Sequence, residues 1–444
     1  MAKLSNGATL TSLYNSTYEV EKFLDNGSQA SVYLVSHAGK KCVLKWYSKT
    51  NERLILHFKG LIAKKAPKDK NNQPDKRFVW PTDIIVTDDG FGYTMDFIEM
   101  NKYTELHMLT HKLYIKNENC IKGTVLCDIC INLAEAFNNL HSSGYCYKDI
   151  SSNNIVFNIQ TGEVLIFDVD NVVVAGEAGE IFGTPKYMAP EAILGTTHPD
   201  SQSDRFALAS YFFHLLVGHY PLEGKLRDDY IKTNGVFDDN GFKNVYGTNA
   251  AFCFNPNSDR NNLSHNDYAK VVERWEYIIP LELKEKFYKT FVKGLSFDTR
   301  VERTTNKEWI ALFREFKKNI ITCSCGRNYL PGAIKCIVCS KPFAAKILVR
   351  EKDKTAQKEV ILKRDSIIKG EEISKIISGQ TKLAEVISNP KNGEIGLKNL
   401  SALEWYYKDV QDADLQRVPP NSIVTLKSGR VIAFVRGEVQ VTVK

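Results

Sequence analysis

The chain has 444 residues, 43% of them hydrophobic and 25% charged, enough for two or three domains with cores of their own. Its formal charge of +7 is small for this length, which speaks against a nucleic-acid partner. No run reaches the roughly 18 consecutive apolar residues of a membrane span, and MAKLSNGATL lacks a signal-peptide core, so a soluble, cytoplasmic protein with no membrane partner is expected.

From the N-terminus, YEVEKFLDNGSQASVYLVS and KKCVLKWY read as strands around a turn containing Gly27. Lys45 closes CVLK, thirteen residues after Val32. TNERLILHFKGLIAKK reads as a helix, and its Glu52 is the only glutamate between Lys45 and Trp80. The basic AKKAPKDKNNQPDKR that follows reads as a solvated loop. FVWP, DIIV and GYTMDFIEM supply two further strands and a connector at Asp96 to Ile98. Between Val125 and His141, the residues Leu126, Ile129, Leu133, Phe137 and Leu140 recur at helical spacing. Cys127 and Cys130 on that helix read as core thiols rather than ligands. Next, GYCYKDISSNNIVFNIQTGEVLIFDVD reads as a loop carrying Asp149 and Asn154, then a strand pair leading into Asp168. An Asp, an Asn five residues later and a second Asp one strand pair further on can converge on one metal-bound phosphate. After GTPKYMAPE, the stretch SDRFALASYFFHLLVGHYPLEG is apolar on nearly all sides, which marks a buried helix with Asp204 at its start.

The stretch from Tyr145 to Asp170, with KYMAPE after it, resembles the catalytic loop, metal-binding triplet and APE segment of protein kinases, and the resemblance extends over roughly residues 15 to 316. It implies that Asp149 accepts the hydroxyl proton of a protein substrate, that Asn154 and Asp168 hold Mg2+ on the phosphates of ATP, and that Lys45 pairs the α- and β-phosphates. Gly27 becomes the centre of a glycine-rich loop in which Asp25 and Ala30 replace the flanking glycines. Val32 and Met95 line the nucleotide pocket, and Asp96 to Ile98 form the hinge that meets the adenine. Glu52 is the available partner for Lys45 unless something else replaces that ion pair, and Glu191 is expected to pair with Arg303. The pattern departs from the family at several places. Tyr147 and Lys148 stand where kinases usually have His and Arg, Ser151 stands where serine/threonine kinases have a lysine, and Asp170 replaces the glycine of the triplet. Glu177 and Glu180 either pair with Lys148 or are solvated acidic residues. FVWP, GHYPLEG and RTTNKEW are similar to stretches of a bacterial subset of kinases, some accompanied by a cognate metal-dependent phosphatase and a von Willebrand A-type protein.

Beyond this region, Cys323 and Cys325 are followed after ten residues by Cys336 and Cys339. Two paired-cysteine knuckles of this kind read as a four-thiolate ribbon holding structural Zn2+, with Arg327 and Lys335 offsetting its negative charge. From about Ala345, short β-type runs such as AKILVR, KEVILKR, LEWYYK and EVQVTVK, broken by NPKNG, VPPNS and KSG, indicate a small all-β sandwich. GLKNLSALEWYYK with VPPNSIVTLKSGRVIAF resembles a divergent forkhead-associated domain. That family's phosphothreonine-reading cluster is not evident, so an ordinary protein-interaction role is expected.

The expected fold is therefore multidomain α+β: a bilobal protein-kinase fold over 1–316, a zinc ribbon over 317–343 and an all-β, forkhead-associated-like sandwich over 344–444. The expected function is ATP- and Mg-dependent phosphate transfer to protein serine or threonine hydroxyls, with the C-terminal modules positioning partners. The alternative is a nucleotide-binding pseudokinase scaffold, which rests on Asp25, Ala30, the early position of Glu52 and Ser151.

Overall fold

A computed structural model describes residues 4–27, 30–106, 121–176, 183–352, 357–389, 394–409 and 414–443. The chain divides into two compact units, one of Met1–Leu113, Thr124–Tyr268 and Glu285–Lys318, the other of Tyr114–Gly123, Ala269–Lys284 and Asn319–Lys444.

The first unit begins with strands β1 (Thr9–Thr11), β2 (Thr17–Asn26), β3 (Ser31–His37), β4 (Lys40–Tyr47), β5 (Pro81–Thr87) and β6 (Gly90–Asp96). They form one antiparallel sheet in the order β1-β2-β3-β4-β6-β5. Alternation along a strand sends successive side chains to opposite faces. On β4, Cys42, Leu44 and Trp46 therefore enter a core with Tyr33, Val35 and Ile85, while Val43 and Lys45 turn to the other face. Gly92 of β6 lets its strand lie tight against β4, since a Cβ there would meet the Lys45 carbonyl oxygen at 2.5 Å.

Helix α1 (Glu52–Lys64) starts where Asn51 accepts the Leu54 amide at 3.1 Å, and it buries Ile55, Phe58 and Leu61. Helix α2 (Gly123–Ser142) buries the face predicted from spacing, with Ile129, Leu133, Phe137 and Leu140 fully inaccessible. Cys127 and Cys130 are buried on it, and burial pushes the Cys127 thiol up to about 12, as befits inert core thiols. Helix α3 (Ser201–Val217) opens with a reciprocal cap between Asp200 and Ser203 and is buried on nearly all sides. Helix α4 (Asn306–Lys318) seats Trp309, Phe313 and Phe316 in the same interior.

Glu191 and Arg303 form a bidentate pair at 2.6 and 2.9 Å with both side chains at most 1% exposed, and Arg303 also donates to the carbonyls of Gly294 and Gln202. Arg303→Met leaves a carboxylate buried without its counter-ion, which is expected to cost roughly 3–5 kcal/mol. A fall in the urea midpoint with an unchanged slope is the expected reading, and a stability equal to wild type would show that Glu191 finds other partners.

In the second unit, a short hairpin of Ile321–Thr322 and Asn328–Tyr329 carries the first cysteine knuckle. Cys323, Tyr329, Ala333 and Cys336 share a small core with Ile278 and Tyr277. The remainder is a β-sandwich. Its six-stranded sheet runs in the order Gln357–Lys363, Ala344–Glu351, Val439–Val443, Val431–Phe434, Trp405–Lys408, Gln416–Val418, and its four-stranded sheet in the order Ile367–Ile368, Ala384–Ser388, Ile395–Asn399, Ile423–Thr425. Every pairing is antiparallel. The inner faces meet around Val386, Leu397, Trp405, Ile432 and Val441. Inside this core Asn399 is fully buried yet satisfied. Its amide nitrogen donates to the carbonyls of Leu403 and Val418, and its oxygen accepts from the amide and hydroxyl of Ser401.

Candidate active site

A cavity of about 640 Å³ opens within the first unit between the sheet and the segment after α2, a size suited to a nucleotide. Its roof is Gly27, Ala30 and Val32, its walls include Val43, Met95 and Ile98, and Asp149, Asp168 and Asp170 lie at its far side with Lys45. The apolar part is continuous with a small cluster of Val79, Val156 and Leu165, against which Met95, Ile98 and Phe167 pack. A flat aromatic group can therefore be gripped by aliphatic side chains at one end, and charge is handled at the other. Asp96 faces the cavity rim, but its carboxylate is engaged by Lys40 at 2.6 Å, which leaves the backbone of Asp96 to Ile98 to contact a ligand.

The β2–β3 turn is closed by the Gly27 amide donating to the Ala30 carbonyl at 2.8 Å. Asp25 is exposed, and its Oδ1 accepts the Asn26 amide at 2.7 Å. Ser28 and Gln29 of this turn lie outside the described residues, as do Glu177 and Glu180.

The segment after α2 folds into short strands that aim the polar residues. Tyr145–Tyr147 pairs with Val172–Val174, and Ile155–Phe157 pairs with Val164–Ile166. Asp149 is held on both oxygens: Oδ1 accepts from the Thr184 amide at 2.8 Å and hydroxyl at 2.9 Å, and Oδ2 accepts from Asn154 Nδ2 at 3.0 Å. Asn154 also donates to the Asp149 carbonyl at 2.9 Å, which commits its nitrogen and leaves its oxygen as the atom a metal would take. Asp168 adopts the left-handed conformation (φ 51°, ψ 55°), tolerable for Asp, and meets Lys45 Nζ at 3.0 Å. One carboxylate and one amide oxygen, with a second carboxylate nearby, form the hard oxygen donor set that suits Mg2+.

Tyr147, standing where the family has histidine, has its own task. It is fully buried, its hydroxyl donates to the Phe167 carbonyl at 2.5 Å, and its amide donates to Asp204 Oδ2 at 2.7 Å. Asp204 also meets His141 Nε2 at 2.8 Å, and His141 Nδ1 meets the Asn306 amide at 3.0 Å. Ser151, by contrast, is 1% exposed, and its hydroxyl has no hydrogen-bond partner among the described residues.

Glu52 does not meet Lys45. It is the exposed first residue of α1, because the helix begins immediately after the strand turn and so carries its one acidic residue away from the cavity. Lys45 pairs instead with Asp168 and, at 3.1 Å, with Asp170. A signal for this was present in the Asp168, Val169, Asp170 triplet, but its meaning depends on a spatial meeting across 125 residues of sequence.

Tyr187 packs against Tyr220, and its hydroxyl lies 2.6 Å from His214 Nδ1. Burial, with His219 and Lys186 nearby, pushes the His214 imidazole down to about 4, so the ring beside the Tyr187 hydroxyl is neutral. The unfolded chain takes up the imidazolium proton of this histidine near the ordinary value and the folded chain only near 4, so stability is present above the ordinary value and is lost as pH falls towards 4. Lowering the pH from 7 to 5 should remove roughly 2 kcal/mol through this group. Urea titrations of His214→Asn at the two pH values should show a correspondingly smaller difference, and an unchanged difference would assign the loss elsewhere.

The sequence profile described as "Protein kinase domain" matches residues 18–305. Curated relatives are similar over shorter stretches. The chain is 31% identical over 131 residues to cGMP-dependent protein kinase, isozyme 2 forms cD5/T2 of Drosophila melanogaster, covering 25% of this chain and 14% of that protein. It is 24% identical over 220 residues to ribosomal protein S6 kinase alpha-3 of Homo sapiens, covering 48% and 28%. It is 25% identical over 188 residues to a probable serine/threonine-protein kinase of Clostridium perfringens, covering 41% and 25%. The chain thus spans less than a third of the length of these relatives. Among solved structures, the Mycobacterium tuberculosis PknI kinase domain is similar at 17% identity and a TM-score of 0.42, over 71% of this chain and 99% of that one. No helix among the described residues is long and apolar enough to cross a membrane.

Proposed function

Since the chain belongs to the protein kinase family across residues 18–305, we propose that it transfers the γ-phosphate of ATP, with Mg2+, to serine and threonine hydroxyls of protein substrates. The observation that carries this reading is the convergence of Lys45, Asp149 and Asp168 at one end of a nucleotide-sized cavity, with Asn154 bonded to Asp149 and Asp149 held on both oxygens. Asp149 would accept the substrate hydroxyl's proton, and the hydrogen bonds from Thr184 and Asn154 fix where that oxygen points. Lys45 would neutralise phosphate charge. Asn154 and Asp168 would hold Mg2+, which when bound supplies the charge that lets the phosphoryl group depart. Serine/threonine specificity is supported by the similarity to the probable serine/threonine-protein kinase of Clostridium perfringens. The test is incubation of the purified chain with Mg·ATP labelled at the γ-phosphate, with generic protein substrates, followed by phosphosite mapping. Label on serine or threonine supports the reading. A second reading, a nucleotide-binding pseudokinase scaffold, is favoured by the burial of Ser151 where a phosphate-steadying lysine is expected, and it takes over if Mg·ATP binds and no label moves.

We propose further that Cys323, Cys325, Cys336 and Cys339 hold one structural Zn2+. Their sulfurs all lie within 4.8 Å of one another, with Cys323 and Cys339 at 3.4 Å and Cys325 and Cys336 at 3.6 Å. A tetrahedral zinc with bonds of about 2.3 Å separates its sulfurs by roughly 3.8 Å, so the quartet fits the ion with minor adjustment. The Cys336 sulfur also lies 3.4 Å from the Cys339 amide and 3.2 Å from the Tyr329 hydroxyl, donors that suit a thiolate ligand. On this proposal the modules are a kinase domain over 1–316, a zinc ribbon over 317–343 and a forkhead-associated-like sandwich over 344–444 that positions partners in the cytoplasm. A metal-dependent phosphatase and a von Willebrand A-type protein as partners rest on the sequence resemblance alone.

A further inference from the structure

Lys45 must be held if it is to meet phosphate, and helix α1 offers nothing to hold it. The inner face of α1 is Ile55, Phe58 and Leu61, and the ring of Phe58 lies 4.3 Å from that of Tyr93, the residue paired with Lys45 across the sheet. That contact is closed by aromatic packing where a carboxylate would otherwise enter. The carboxylate comes from the other direction. Asp170 sits on the turn Val169–Asn171, places Oδ1 at 3.3 Å and Oδ2 at 3.1 Å from Lys45 Nζ, and is 18% exposed. Tyr47, two residues beyond Lys45 on the same strand, donates its hydroxyl to Asp170 Oδ2 at 3.0 Å. Tyr47 is itself fixed by stacking on Phe91, with ring centroids 4.8 Å apart and planes within 10°.

We propose that Asp170, held by Tyr47, is the positioning carboxylate of Lys45, and that the helix α1 glutamate has no part in orienting the lysine. The proposal deepens the kinase reading and rests on it. It places the lysine anchor and the metal-binding Asp168 on a single turn, so that ordering this turn prepares both at once.

The test compares wild type, Asp170→Asn, Asp170→Glu, Tyr47→Phe and Glu52→Gln. It reads kcat and KM for Mg·ATP, and also the acylation rate of Lys45 by a small amine-selective reagent without nucleotide, quantified on the Lys45 peptide. Asp170→Asn should lower kcat/KM on the order of 100-fold through misplacement of the lysine. It should also speed Lys45 acylation, because Nζ loses the carboxylate contacts at 3.1 and 3.3 Å that hold it and is freer to meet the reagent. Asp170→Glu should recover part of both effects, Tyr47→Phe should move both in the direction of Asp170→Asn by less, and Glu52→Gln should leave both within about twofold, as for an exposed charge. A loss in Glu52→Gln equal to that of Asp170→Asn overturns the proposal. So does Asp170→Asn with unchanged acylation and unchanged kcat/KM. If wild type transfers no phosphate, the kinase reading falls, and the proposal is then decided by acylation together with Mg·ATP affinity, neither of which requires turnover.

Discussion

Asp149→Asn is expected to lower phosphate transfer by about 10³-fold or more while Mg·ATP affinity stays within about threefold. The reason lies in the three hydrogen bonds on its carboxylate. Oδ1 receives two donors from Thr184, and Oδ2 receives the Asn154 amide. An asparagine has one acceptor to offer, so whichever way it turns, an NH2 group faces a donor, and the remaining oxygen has lost most of its basicity. Proton acceptance is removed and the loop is locally disturbed, but the apolar end of the cavity and Lys45 are untouched. Asp168→Asn should fail differently. It removes a carboxylate that pairs with Lys45 at 3.0 Å and that would hold Mg2+, so affinity for Mg·ATP and turnover should both fall, turnover again by about 10³-fold. Calorimetry with Mg·ATP, alongside transfer of labelled phosphate, separates the two variants. Retention of more than about a tenth of wild-type transfer in Asp149→Asn would remove it from the role of proton acceptor.

The second large effect is expected at the cysteine quartet. Zinc binding to four thiolates is worth on the order of 10 kcal/mol to a small module. The core that Cys323 and Cys336 share with Tyr329, Ala333 and Ile278 is too small to stand without that contribution. Wild-type protein should carry one zinc per chain by elemental analysis. Cys336→Ser should lose the metal and become sensitive to protease between residues 319 and 343. Nucleotide binding should persist in the variant, because the first unit has its own interior around Leu44, Trp46, Phe137 and Trp309. Protein purified without chelators and found free of zinc would refute the metal site. Equal loss of Mg·ATP binding in Cys336→Ser would refute the independence of the two units' stabilities.

What the sequence made readable depended on how local each signal was. The helix over Val125–His141 was plain because five apolar residues at one spacing can bury together in only one way. The polar residues around Asp149 were plain because their types and intervals are dictated by the chemistry they resemble. The partner of Lys45 was not readable. Sequence order offered Glu52, the next acidic residue, and the structure chose Asp170 on a distant turn, because α1 begins too early for its glutamate to reach inward. Tyr147 looked like a departure from the pattern and turns out to be a buried donor to Phe167. In the C-terminal sandwich most strands were found, whereas Ile367–Ile368, Ala384–Ser388 and Gln416–Val418 were passed over. Their identity as strands comes from the partners they pair with in the sheets rather than from their own residues.

The Tyr147 amide, Asp204, His141 and Asn306 form a continuous line of hydrogen bonds from the loop that carries Asp149 across α3 and α2 to the first residue of α4. A loop built on three-residue strands would by itself fray at temperatures the helical interior survives. Tied in this way, it borrows the cooperativity of the helices and melts when they melt. Heat inactivation of such a site follows the unfolding curve of the whole unit, with no warmer interval in which the body is intact and the chemistry already gone.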